Sequence, residues 1–213
     1  MKTICKSVKL PEILLEHYKS NKSKIKERLD DFENIPQSQY FYEFCYCLMT
    51  PQSKAENAQK VQNILESIDF KNSNIKPVDI LFEKSHYIRF HNQKAKRLMW
   101  ARENFNLIEN ILNSENDNFT KRNQLAESVN GIGLKEAGHF LRNIGYKNLA
   151  ILDRHILATL KMCGLFEEMP NISNKKIYWQ TEQLFLEFAS KINIPIDELD
   201  LLFFSYQNGN ILK

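Results

Sequence analysis

Apolar residues recur at spacings of three and four along almost the whole chain, as in Phe41, Phe44, Cys45 and Leu48, or in Val61, Ile64, Leu65 and Ile68. That is the spacing of one face of an α-helix, so each such stretch predicts an amphipathic helix laid on a core. The pattern predicts helices over 11–32, 38–49, 54–68, 77–83, 93–112, 119–129, 134–144, 154–163, 173–190 and 196–207. The only stretch with strand-like alternation, His86-Tyr87-Ile88-Arg89-Phe90-His91, is isolated and without a partner, and predicts an extended connection. There is no internal repeat and no low-complexity linker. Compact turns near Asn34-Ile35-Pro36-Gln37-Ser38 and near Gly145-Tyr146-Lys147-Asn148 are the natural places for boundaries. The expectation is an all-α fold.

Composition agrees with this. With 213 residues, 43% of them hydrophobic, the chain can bury a core without a disulfide or metal staple. Only six Gly and six Pro disfavour both a turn-rich β fold and a disordered chain. No apolar run approaches the ~20 residues that cross a bilayer, and the N-terminus is broken by charges, so no export signal or membrane partner is expected. Cys5, Cys45, Cys47 and Cys163 fit neither a disulfide framework nor zinc knuckles, and predict reduced thiols in an intracellular, cytoplasmic protein. The formal net charge of +3 is mild but unevenly spread. Residues 83–107 hold six basic against two acidic side chains and residues 120–161 seven against three, whereas 181–202 hold five acidic against Lys191 alone. A basic middle and an acidic end are compatible with a phosphate-facing surface on one side of the molecule, and equally with ordinary solvated helix faces.

Four of the six glycines, Gly131, Gly133, Gly138 and Gly145, fall within fifteen residues. One predicted helix stops at Asn130-Gly131, a pair suited to a positive φ, and the next begins at once with Ala137, Phe140, Leu141 and Ile144 as its apolar stripe. This reads as helix, tight Gly-Ile-Gly hairpin, helix. Bare glycine backbone at a helix N-terminus lets a phosphate approach the amides without a side chain in the way, although a sharp helical corner alone would also use glycine there. Lys135 follows the hairpin and should face outward. Eighteen residues later Asp153 opens another helix in Ala150-Ile151-Leu152-Asp153-Arg154-His155. Asp is a good N-cap, and a carboxylate near an amine can also support positive charge on a sugar while the neutral amine attacks carbon.

Gly131-Ile132-Gly133-Leu134-Lys135 followed by Leu152-Asp153-Arg154-His155 resembles the helix-hairpin-helix and aspartate signature of the DNA glycosylase superfamily that includes endonuclease III. The chain is most similar to the archaeal-type (type 2) 8-oxoguanine DNA glycosylases. Further agreement lies in Phe44-Cys45-Tyr46-Cys47-Leu48-Met49-Thr50-Pro51-Gln52-Ser53, in Arg89-Phe90-His91-Asn92-Gln93-Lys94-Ala95, and from Asp197 to Lys213. The resemblance implies two helical subdomains flanking a cleft: 38–146, ending in the helix-hairpin-helix motif, and 1–37 with 147–213 from both termini. It implies excision of 8-oxoguanine from double-stranded DNA by a monomer, with Lys135 as nucleophile and Asp153 as its partner, and strand cleavage by β-elimination through a Schiff base.

Other roles are carried by the same resemblance. Gly131 and Gly133 would hold phosphates, Gln52 would fill the gap left by the extruded base, and Arg154 and His155 would approach the DNA backbone. Lys213 would read the base, with Phe204 standing where related enzymes commonly have Trp, which implies a smaller stacking partner. Only Cys163 lies in the half where endonuclease III holds an iron–sulfur cluster, so no cluster is expected, and no cofactor or metal is implied. His139 and His155 are isolated, and Trp100 and Trp179 read as core. Two other functions fit the same residues: a hairpin module that only binds DNA, and a lyase for other lesions such as oxidised pyrimidines.

Overall fold

A computed structural model of the chain describes residues 8–211. Among these residues every regular element is helical: α1 (Glu12–Glu33), α2 (Tyr40–Met49), α3 (Ala55–Ser67), α4 (Val78–Phe82), α5 (His91–Leu112), α6 (Asn118–Ser128), α7 (Leu134–Asn143), α8 (Arg154–Met162), α9 (Lys175–Ile192) and α10 (Ile196–Asn208). Each lies within two residues of its predicted span. The alternating stretch after α4 forms no strand. Lys84–His86 is a single 3-10 turn, and Phe90, at φ +60, turns the backbone straight into α5. Among the described residues no helix is long and apolar enough to cross a membrane.

The chain divides into two compact units, one drawn from both ends, up to Asn34 and from Gly145 onward, and one from Ile35–Ile144. The central unit is organised by α2, which packs against α3, α5 and α7. Every residue from Phe41 to Met49 is buried, because the sequence is apolar on all faces and no face can be given to water. Phe41 meets Phe105 edge-on at 5.3 Å between ring centroids, and Phe44 meets Phe140 at 5.0 Å. A small polar cluster sits in this core. The Glu43 carboxyl accepts from Gln62 Nε2 of α3 at 2.8 Å and from Asn143 Nδ2 of α7 at 3.2 Å. It therefore fixes three helices at one point.

In the terminal unit, α1 and α8 pack on α10, and α9 joins them there. Leu14, Tyr18, Ile25 and Phe32 form the inner stripe of α1, and Phe185 stacks on Phe203 at 5.8 Å. The acidic stretch 181–202 does not form a surface. Glu182, Asp197, Glu198 and Asp200 are all buried, and only Glu187 of the five is exposed. Asp197 accepts from the Asn148 amide, Glu182 from the Ala150 amide, and Glu198 from the Tyr18 hydroxyl at 2.6 Å. The expected polarity of surface charge is corrected accordingly: these carboxyls bind backbone and a phenol inside the unit. The basic middle is likewise thinned, since Lys94, Lys121, Arg122 and Arg142 are buried. Trp179 is also corrected. It is 40% exposed, because it falls between Tyr178 and Thr181, which carry the buried face of α9. Cys45, Cys47 and Cys163 are buried thiols outside any disulfide, and burial pushes Cys163 up to about 12; Cys5 lies outside the described residues.

The Glu43 contacts predict an asymmetric pair of substitutions. Glu43→Ala removes the carboxyl that two buried amide donors share and should cost about 3 kcal/mol, whereas Glu43→Gln keeps one acceptor and should cost about 1 kcal/mol. Urea unfolding of the three proteins, compared by midpoint at unchanged m-value, measures the difference.

Candidate active site

The hairpin is built as its glycines require. α6 ends at Ser128, Gly131 takes φ +92, and Gly133 is the N-cap of α7. Lys135 and Glu136 follow in the first turn of α7, with Leu134, Ala137, Phe140 and Leu141 buried beneath them. Two contacts of Glu136 were not legible in the sequence. One of its carboxyl oxygens accepts from the Gly133 amide at 3.2 Å, and the other lies 3.0 Å from Lys135 Nζ. An acidic side chain at this position suits the positive end of the helix, and here it also holds the lysine. The side chain of Lys135 is 32% exposed and ion-paired.

Gln52 stands in the turn that leaves α2. Pro51 cannot continue the helix hydrogen bonding, and Gln52 adopts φ +57, a conformation that costs an L-residue on the order of 1–2 kcal/mol. The turn is held by Lys94 of α5, a residue whose role only the structure shows. Its ammonium donates to the Met49 carbonyl at 2.6 Å, the Pro51 carbonyl at 2.6 Å and Ser53 Oγ at 3.0 Å. Ser53 Oγ also accepts from the Arg89 amide, tying the turn to the segment before α5. Lys94 is 2% exposed. Burial, then the positive charges of Arg97 and Lys135, lower its pKa to about 8. Gln52 itself is exposed, so the turn presents its side chain to solvent.

Asp153 belongs to the terminal unit. It caps α8 by accepting from the His155 and Ile156 amides at 2.8 Å each, both on Oδ1. Oδ2 has no hydrogen bond among the described residues, so one carboxylate can cap a helix and still keep an oxygen for chemistry. The segment leading to it is stiffened by the buried acids and by Tyr178, whose hydroxyl donates to the Ala150 carbonyl at 2.7 Å. Arg154 is exposed and its Nε donates to His155 Nε2 at 3.2 Å. The structure brings His155 and Phe204 together, with rings nearly perpendicular at 6.5 Å. Lys213 lies outside the described residues. Among the described residues no group of three or more His, Cys, Asp or Glu could hold a metal ion.

These elements have counterparts in known proteins. The sequence model of the 8-oxoguanine DNA glycosylase family matches residues 25–194. An 8-oxoguanine DNA glycosylase/AP lyase of Fusobacterium nucleatum is 35% identical over 207 residues, covering 92% of this chain and 94% of the relative. The enzyme of that name from Methanocaldococcus jannaschii is 32% identical over 200 residues, with 90% and 94% covered. The crystal structure of the M. jannaschii 8-oxoguanine glycosylase/lyase in complex with a 15mer DNA containing 8-oxoguanine matches with a TM-score of 0.82 at 28% identity, over 94% of this chain and 100% of that one. The 8-oxoguanine DNA glycosylase of Thermotoga maritima gives the same TM-score at 27% identity, over 96% and 100%. A family match across most of the chain, joined to a hairpin that carries Lys135 and a helix that Asp153 caps, places this protein in the 8-oxoguanine DNA glycosylase family.

Proposed function

We propose that this chain is a bifunctional base-excision-repair enzyme that removes 8-oxoguanine from duplex DNA and then cleaves the strand at the abasic site. The observation that carries the reading is the placement of Lys135 in the first turn after the Gly-Ile-Gly hairpin, within a chain of this family. Backbone amides at a helix start favour phosphate and read no sequence. A reactive base must leave the stack to be reached, and Gln52, on its clamped turn, is suited to occupy the vacancy.

Lys135 gives up a proton to solvent and its pairing with Glu136, and its nitrogen bonds to C1′ of the deoxyribose as the glycosidic bond breaks; the base departs with that electron pair and takes up a proton from solvent. The free oxygen of Asp153 offsets the positive charge that develops on the sugar ring. A proton passes from that nitrogen to the ring oxygen, the C1′–O4′ bond breaks, and a protonated Schiff base between Nζ and C1′ remains, which acidifies a C2′ proton. Loss of that proton expels the 3′ phosphate, and hydrolysis of the imine frees the enzyme. The enclosure that lowers the lysine's proton affinity is supplied by bound DNA in this reading. Arg154 and His155 meet the DNA backbone, Phe204 stacks on the base, and Lys213 reads it; the enzyme acts in the cytoplasm as a monomer. No cofactor enters any step.

Three substitutions test the assignments. Lys135→Gln should abolish borohydride trapping on an 8-oxoguanine duplex while leaving duplex affinity nearly intact; trapping at an unchanged level would remove Lys135 from its role. A purely DNA-binding hairpin module predicts no trapping by the intact chain, and a panel of lesions in one duplex separates 8-oxoguanine from oxidised pyrimidines.

Asp153→Asn keeps a competent cap, so the thermal midpoint should hardly move while excision slows by about a hundredfold or more. A stability loss in proportion to the rate would mean that Asp153 serves only as a cap. Lys94→Met preserves the bulk of the stem but deletes three donors. It should slow excision roughly tenfold, as 1–2 kcal/mol of lost positioning gives, with a matching fall in the fluorescence change of 2-aminopurine placed beside the lesion. Cleavage of a preformed abasic site should change less.

A further inference from the structure

Arg97 lies one turn beyond Lys94 on α5 and lays its side chain across Gly131. A Cβ built on Gly131 would fall on Nε and Cζ of Arg97 and stand 2.6 Å from its Cδ. The guanidinium therefore rests against hairpin backbone, in space that a side chain at 131 would contend for, and Gly131 itself is required by its φ of +92. Arg97 is half-buried, yet it makes no hydrogen bond or ion pair with another described residue.

This leaves an imbalance of charge. Arg97 and Lys135 are both close enough to Lys94 to disfavour its protonation, and the acid that answers them, Glu136, is committed to Lys135 and to the Gly133 amide. Gathering cations costs free energy unless an anion joins them. A guanidinium offers donors in a planar fork whose geometry matches the paired oxygens of a phosphodiester. Resting on Gly131, its orientation is already restricted, so less entropy is lost on contact.

We propose that Arg97 is a DNA-binding residue whose guanidinium donates to a non-bridging oxygen of a phosphodiester that also meets the Gly131 hairpin, so that side chain and hairpin grip one stretch of backbone. The inference rests on the DNA-repair reading above and names a contact that reading does not require. Since every phosphodiester presents the same oxygens, the contact adds affinity at all sequences and carries no preference for the lesion.

The test is fluorescence anisotropy with a 15-base-pair duplex holding a tetrahydrofuran abasic analogue, which cannot form a Schiff base, at potassium chloride concentrations from 50 to 200 mM. The intact chain, Arg97→Gln and Arg97→Lys are compared. Loss of one phosphate contact makes the slope of log affinity against log salt shallower by about 0.9. The advantage of the intact chain over Arg97→Gln should then shrink ~3.5-fold across that range, and Arg97→Lys should restore the slope. An affinity loss in Arg97→Gln at unchanged slope would show that Arg97 only packs on the hairpin, and unchanged affinity would remove the contact altogether. If the intact chain itself shows no salt-dependent duplex binding, the DNA reading fails and this one falls with it.

Discussion

The buried carboxyl of Glu43 is the contact on which the central unit turns. It lies inside the apolar helix α2 and binds side-chain amides from α3 and α7 at once. In a medium of low dielectric those bonds are strong and their loss is expensive. A purely apolar interface would allow α7 to slide or rotate at small cost, whereas a carboxyl with two fixed partners specifies one register. The hairpin, Lys135 and Glu136 all sit at the N-terminal end of that same α7. Their precision is inherited from a polar contact at the helix's other end.

The terminal unit solves an equivalent problem in the same way. Asp153 must be presented at the end of an irregular segment, and irregular backbone has no ladder of its own to satisfy its amides. Asp197 and Glu182 supply acceptors for Asn148 and Ala150, and Tyr178 supplies a donor for the Ala150 carbonyl. Acidic residues that look like a solvated surface along the chain therefore act as internal struts. Both units use buried carboxyls to hold an element whose exposed end bears the proposed chemistry.

Strain and charge are concentrated around the proposed DNA contacts. Gln52 and Phe90, both non-glycine residues at positive φ, flank the segment that Ser53 and Lys94 tie together. Lys94 is buried against neutral acceptors while two further cations lower its proton affinity. Folding alone would favour relaxing both features. Their retention is understandable if the turn and the charges are arranged for an anionic, stacked partner, with part of the balance restored on binding.

Periodicity determined the fold class and every helix to within two residues, because a chain poor in glycine and proline lets local apolar spacing decide its secondary structure. The hairpin was legible for the converse reason: four glycines crowded into a sequence that otherwise avoids them mark a place where backbone geometry outweighs propensity. The capping role of Asp153 was legible too, since an N-cap is a local interaction. What tertiary structure decided is which charges face water. Spacing cannot tell that Glu43, Glu182 and Asp197 lie inside, that Lys94 reaches back 43 residues to the Pro51 carbonyl, or that Arg97 lies across Gly131. Each of these depends on segments distant in the chain arriving at one point, and burial and electrostatics act between neighbours in space.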